Sequence, residues 1–188
     1  QANLTSGVGL KGQTEGTIYT ALTADDPNPR AEVLETRIKN LSLIPADRQL
    51  TGAEVELVSM PDRERRLQMI LAPLRDRFDV VFIDTPPSLG LLTLNALVAA
   101  DAVLIPLACE YFALEGLADL VATLRRVRGS FNPSLDIAGV LLTMYDERTN
   151  LGQQVAHDIR EFFQDRVYDT VIPRNIRLGE APSHGVPA

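Results

Sequence analysis

Short runs of Val, Ile and Leu, set between longer stretches of helical period, are what most constrain the fold of this chain. The runs are Leu41 to Pro45, Asp79 to Asp84, Ala102 to Pro106, Ile137 to Thr143 and Val167 to Ile172. They are apolar throughout rather than alternating, as strands are when helices cover both faces of a sheet. Helices are predicted over Asp62 to Arg75, Leu89 to Ala99, Ala113 to Arg128 and Asn150 to Phe163. The third places Leu114, Leu117, Val121, Leu124 and Val127 on one stripe and stops near Gly129 and Pro133. The fourth takes Asn150 as its cap and turns Val155, Ile159, Phe162 and Phe163 inward. Strand and helix in alternation make βαβ units, hence a doubly wound α/β fold with a mostly parallel sheet and helices on both faces. In such folds ligands lie beyond the carboxyl ends of the strands. Asp25 to Pro29 reads as a loop, and no linker divides the chain, so residues 1–188 are expected to belong to a single domain.

The chain has 188 residues, 45% hydrophobic and 23% charged, which suits one globular domain and excludes a disordered one. No apolar run approaches the roughly 20 residues that a membrane span needs. The single cysteine, Cys109, excludes an internal disulfide and fits a reducing compartment. A net charge of −7 excludes a surface that is a nucleic-acid footprint throughout, but leaves room for a local patch. Arg125, Arg126 and Arg128 form one basic run, for which a solvated helix end is the simpler account. His157 and His184 have no metal-ligand company, and with Cys109 they are assigned to structure. No Ser-His or Cys-His arrangement argues for nucleophilic catalysis.

The chemistry concentrates in Phe78-Asp79-Val80-Val81-Phe82-Ile83-Asp84-Thr85-Pro86-Pro87, an apolar run that ends in an acid. An acid so placed can hold Mg²⁺ through its water shell, because Mg²⁺ dehydrates reluctantly and one carboxylate is enough. The same pattern also fits an Asp that caps a turn, and by itself it does not separate the two.

The residues just after the acid do separate them. Asp84-Thr85-Pro86-Pro87-Ser88-Leu89-Gly90 and Leu92-Thr93-Leu94-Asn95-Ala96-Leu97 closely resemble the switch II region of the ParA and Soj partition ATPases. Gln1 to Gly7, Ala108 to Gly116, Leu142 to Asn150 and Val171 to Ser183 resemble further family blocks in the family's order, nearly end to end. The resemblance implies an ATP hydrolase of the P-loop class in which Asp84 is the acid on the Mg²⁺ side. It implies that Thr85, Pro86 and Pro87 form switch II, where two prolines stiffen the backbone. Thr143, Met144, Pro173 and Asn175, at the ends of the last two strands, would contact the nucleotide. A Met or Pro packs on a purine face and an amide reads its edge; ordinary turn chemistry remains open for Pro173 and Asn175. Arg148, Arg174 and Arg177 are candidates for DNA phosphate contact, with surface solubility as the competing account.

The resemblance also implies a functional cycle. ATP and Mg²⁺ would join two subunits into a homodimer that binds DNA without sequence preference. A ParB-type centromere-binding partner would then stimulate hydrolysis, in the cytoplasm on the nucleoid, without a membrane. The cargo, chromosome or plasmid, is left open.

The sequence holds no Gly-x-x-x-x-Gly-Lys-Ser/Thr motif, and Thr5 to Gly12 has the wrong spacing for one. Gln1 to Gly7 resembles the stretch directly after the family's Asp-x-Asp-Pro signature. The P-loop unit is therefore expected before residue 1, and a final helix after residue 188. On that basis the chain alone is expected to be inactive and poorly stable. Two other readings stand beside this one: a MinD-like division-site ATPase with an amphipathic membrane helix, and a non-catalytic relative without a P-loop.

Overall fold

The computed structural model describes residues 2–10, 12, 16–26, 30–110 and 113–185, with side chains from residue 116 in the last stretch. Residues 27–29 of the expected loop and the Leu114 side chain lie outside this set. The chain divides into two compact units, residues 1–99 with 176–188, and residues 100–175.

The first unit is built from short helices. Asn3–Gly7 (α1) and Ile18–Thr23 (α2) precede a ribbon in which Leu34–Glu35 (β1) pairs antiparallel with Ser42–Leu43 (β2). The run Leu41 to Pro45, expected in a parallel sheet, is therefore the return arm of this ribbon. Its turn explains the difference: Asn40 takes a left-handed φ of 63°, and the Thr36 hydroxyl donates to the Leu41 carbonyl at 2.8 Å. Leu50–Glu56 (α3), Arg66–Leu71 (α4) and Leu91–Ala99 (α5) complete the frame. The helix expected over Asp62 to Arg75 is shorter than that. Asp62 is left-handed at φ 49°, and Pro73 ends the regular α-helix, so Ala72–Arg77 tightens into a 3₁₀ turn. Ala21, Leu22, Ala53, Leu57, Leu67, Ile70 and Ala96 form the apolar core.

Polar side chains bind these short helices together. Asn95, 1% exposed, accepts from the Leu67 amide at 3.1 Å and donates to the Arg63 and Leu91 carbonyls at 2.7 and 3.0 Å. Arg66, also buried, donates from Nε and Nη2 to the Leu22 and Ala24 carbonyls at the end of α2. Such bonds satisfy helix ends that would otherwise be buried without partners.

The second unit matches the sequence pattern closely. Ala102–Ala108 (β3), Ala113–Ser130 (α6), Asp136–Tyr145 (β4), Asn150–Phe163 (α7) and Val167–Pro173 (β5) alternate. The strands lie in the order β3-β4-β5, all parallel, joined by helical crossovers as parallel pairs require. Ile105, Val140 and Leu142 pack with Leu117 of α6 and with Val155, Ala156 and Ile159 of α7. Gly139 lets the Tyr168 ring lie over β4, since a Cβ there would come within 2.6 Å of it. Two local expectations change. Thr149 rather than Asn150 caps α7, accepting from the Gly152 amide at 3.2 Å, and Phe162 is 68% exposed at the helix end. Residues after Asn175 belong to the first unit, as Ile176–Glu180 (α8) and a 3₁₀ turn over Ala181–His184.

The expected strand Asp79 to Asp84 pairs with none of the described residues. Val80, Val81 and Phe82 are 66%, 48% and 78% exposed, while Ile83 packs on the core of the first unit. An apolar run signals that a segment suits burial; the ladder that makes it a strand needs a partner elsewhere in the chain.

Candidate functional site

In the second unit the parallel strands bring their carboxyl ends to one edge. Ala108 lies beside Thr143, and Tyr145 beside Pro173. The Cys109 amide donates to the Thr143 carbonyl at 3.1 Å, and the Arg174 amide to the Tyr145 carbonyl at 3.0 Å. Thr143, Met144 and Pro173 therefore stand together on this edge, with Asn175 just past it. Met144 is the unusual one, with a left-handed φ of 51° in a stretch where the β4–β5 register shifts. A non-glycine residue in that region costs about 1 to 3 kcal/mol, and bulges of this kind re-aim side chains beside binding sites. The Met144 side chain is exposed, free to meet a flat apolar ligand face.

Charge surrounds the same edge. Arg174 donates from Nη2 to Glu110 Oε1 at 2.8 Å, across 64 residues of sequence. Arg148 grips Asp146 with two side-chain bonds, Nε to Oδ1 at 2.9 Å and Nη2 to Oδ2 at 2.8 Å. This guanidinium holds the Asp146 carboxyl down at about 2, helped by the Arg148 amide. Sequence reasoning misses Glu110 and Asp146, although they lie two residues and one residue past the ends of β3 and β4, where an acid near a basic loop is a signal. Burial pushes the Cys109 thiol up, which agrees with a structural role. Arg177 lies in α8, in the other unit.

In the first unit, Asp84, Thr85, Pro86 and Pro87 are exposed. Asp84 ends the unpaired run, not a strand of the described sheet, which corrects its expected setting. The chain beyond it is fixed to α5: Thr93 donates from its hydroxyl to the Ser88 carbonyl at 2.6 Å. No group of three or more His, Cys, Asp or Glu among the described residues is placed to hold a metal ion. A lone exposed carboxylate nonetheless fits a cation that keeps most of its waters. The exposed faces of Met144 and Pro173 likewise fit a purine.

A family model described as an AAA domain matches residues 1–137. The chain is 52% identical over 188 residues to the sporulation initiation inhibitor protein Soj of Bacillus subtilis, covering 100% of this chain and 74% of that protein. It is 49% identical over 187 residues to the chromosome-partitioning ATPase Soj of Treponema pallidum, covering 100% and 73%. Among solved structures, a cobyrinic acid a,c-diamide synthase from Mycobacterium smegmatis with bound ATP analog and magnesium is 37% identical. It has a TM-score of 0.82 and covers 92% of this chain and 70% of that one. A parallel sheet flanked by helices, with the candidate residues at its carboxyl edge, is the α/β fold of the P-loop NTPases. Within that class, the chain belongs to the ParA/Soj family of partition ATPases, as its switch II segment anticipates.

Proposed function

We propose that residues 1–188 act as part of one ParA-type ATPase domain that uses ATP and Mg²⁺ to segregate chromosome or plasmid DNA. The observation that carries this reading is identity of about half along the whole chain to a partition ATPase, with Asp84-Thr85-Pro86-Pro87 intact. Asp84 takes the Mg²⁺ side, and Thr143, Met144, Pro173 and Asn175 wall the base. The magnesium and ATP analog held by the 37% identical structure support a nucleotide and Mg²⁺ as the ligands of this family. ATP would supply the phosphoryl group, whose transfer to water would drive the cycle, and the residues of this chain would hold the Mg²⁺ side and the base in position for it.

Arg148, Arg174 and Arg177 are the DNA-facing candidates, acting on phosphate and not on base edges. For Arg148 and Arg174 the acids Asp146 and Glu110 already occupy the guanidinium, so phosphate contact is an exchange of partners. The active form in this reading is an ATP-bound homodimer on the nucleoid, in the cytoplasm, released by a ParB-type partner. The 188 residues alone, with no Walker A motif in their sequence, hydrolyse no ATP.

The test is to express the reading frame that holds these residues entire and to measure ATP hydrolysis with and without DNA and a ParB-type partner. Stimulation by both, abolished by Asp84→Ala, supports the proposal. A rate unmoved by DNA and partner, or kept in the Asp84→Ala variant, overturns it.

A further inference from the structure

Helix α5 begins directly after the switch II segment, and its first turn is capped from outside. Gly90 supplies the first helical acceptor, taking the Leu94 amide at 3.0 Å, but it has no side chain to accept from the next amides. That role falls to Glu54 of α3, whose Oε1 accepts from the Leu92 amide at 3.4 Å. Gly90 also makes room for it. A Cβ at position 90 would lie 2.8 Å from Glu54 Cδ and 3.0 Å from Oε2, so a side chain there and the carboxylate exclude each other. A carboxylate at this end of a helix meets free amides and the positive end of the dipole together.

The same turn holds the segment that carries Asp84. Thr93, one residue after the capped amide, donates to the Ser88 carbonyl at 2.6 Å and reaches the Pro86 carbonyl at 3.5 Å. Glu54 itself stands on a fixed base. Ala53 and Leu57 beside it are fully buried, and Glu56 accepts the Tyr19 hydroxyl of α2 at 3.0 Å. The path runs from α2 and α3, through Glu54, to the first turn of α5 and then to the backbone of Pro86 and Ser88.

We infer that Glu54 is a positioning residue for switch II, setting the register of the Asp84 to Ser88 segment from α3 without touching metal or nucleotide. The functional half of this inference rests on the proposed ATPase reading; the capping half does not. A displaced α3 withdraws the cap, loosens the first turn of α5 and frees the Pro86 to Ser88 backbone.

Hydrogen exchange on the chain tests the cap. Glu54→Ala should raise exchange at the Leu92 to Leu94 amides about five- to tenfold, the size expected for a lost helix cap, and leave Val155 to Ile159 unchanged. Glu54→Gln, which keeps an acceptor oxygen, should restore much of the protection. Gly90→Ala should match Glu54→Ala, and the double variant should exchange no faster than either. Unchanged exchange in Glu54→Ala, or additive effects in the double variant, overturns the cap. Hydrolysis by the entire reading frame tests the positioning: Glu54→Ala should lower kcat with KM for ATP little changed, and Glu54→Gln should recover it. Normal kcat in Glu54→Ala overturns the positioning role. A wild-type protein without ATPase activity fails the functional reading instead, and exchange still decides the cap.

Discussion

Removing the Asn95 side chain should loosen the first unit at the contact between α4 and α5. The Asn95→Ala variant loses three hydrogen bonds at 2.7, 3.0 and 3.1 Å from a site that is 1% exposed. Each is worth about 1 kcal/mol net. The Leu67 amide, in the first turn of α4, has no helical partner of its own, so its loss is felt in full. The Leu91 carbonyl keeps its helical bond and loses only a second partner. The sum is a destabilisation of about 2 to 3 kcal/mol. With a urea m-value of about 2 kcal/mol/M, the unfolding midpoint should fall by about 1 to 1.5 M. The assay is urea-dependent hydrogen exchange at the Leu67 and Ile70 amides, which report on α4. Asn95→Asp is the sharper control: it keeps the size but turns both donors into acceptors facing the Arg63 and Leu91 carbonyls. It should be worse than Ala, because a buried carboxylate with one donor, the Leu67 amide, and two carbonyls facing it is more costly than a small cavity. A loss below about 0.5 kcal/mol in Asn95→Ala, or an Asp variant milder than Ala, would refute the reasoning.

Two predictions concern the carboxyl edge of the second unit. The Asp146 carboxyl, depressed from 3.8 to about 2 by Arg148, makes its ion pair fully above about pH 4. The pair is lost as pH falls through about 2, so an NMR titration should place the Asp146 midpoint there and return it towards 3.8 in Arg148→Ala. At Met144, the left-handed φ of 51° should make Met144→Gly neutral for stability to within about 0.5 kcal/mol, whereas the β-branched Met144→Val should lose about 1 to 2 kcal/mol in thermal melts. Both variants should weaken nucleotide binding by calorimetry if this side chain walls the base.

The second unit was the more legible of the two, and the reason is locality. An apolar run, a helix of regular period and another apolar run can be joined in parallel only through that helix, so β3-α6-β4-α7-β5 could be read with small errors at the ends. The strand ends then place Thr143, Met144 and Pro173 on one edge, while their nucleotide role, with that of Asn175, is read from the family resemblance. What did not show were the pairing of Arg174 with distant Glu110, the left-handed backbone at Met144 and the exposure of Phe162. The first unit was less legible because its elements are too short for period to speak. The ribbon at Leu41 to Pro45 depends on a connection of six residues, 36–41, and the run at Asp79 to Asp84 on a ladder partner that no local pattern names. The roles proposed for Asp84 and the residues after it rest on resemblance to a family, since an acid after an apolar run reads equally well as a turn cap.

The two units also differ in what holds them. The second rests on strand ladders and a continuous apolar cluster, whose contribution grows with the apolar area buried. The first has an apolar core of its own and adds single polar ties between its short elements: Asn95 to α4, Arg66 to α2, Thr93 to the Ser88 carbonyl, Glu54 to the Leu92 amide, and Thr5 to the Ala46 amide at 2.9 Å. A hydrogen bond of this kind has a second good state once water or another acceptor takes its place, and its net worth is about 1 kcal/mol. A nucleotide that binds two such arrangements with a tenfold difference in affinity shifts their balance by about 1.4 kcal/mol, enough to exchange one of these bonds for another. The backbone after Asp84 is tied to α5 by a bond of this size, from the Thr93 hydroxyl to the Ser88 carbonyl, so a free energy that small is enough to move this helix end.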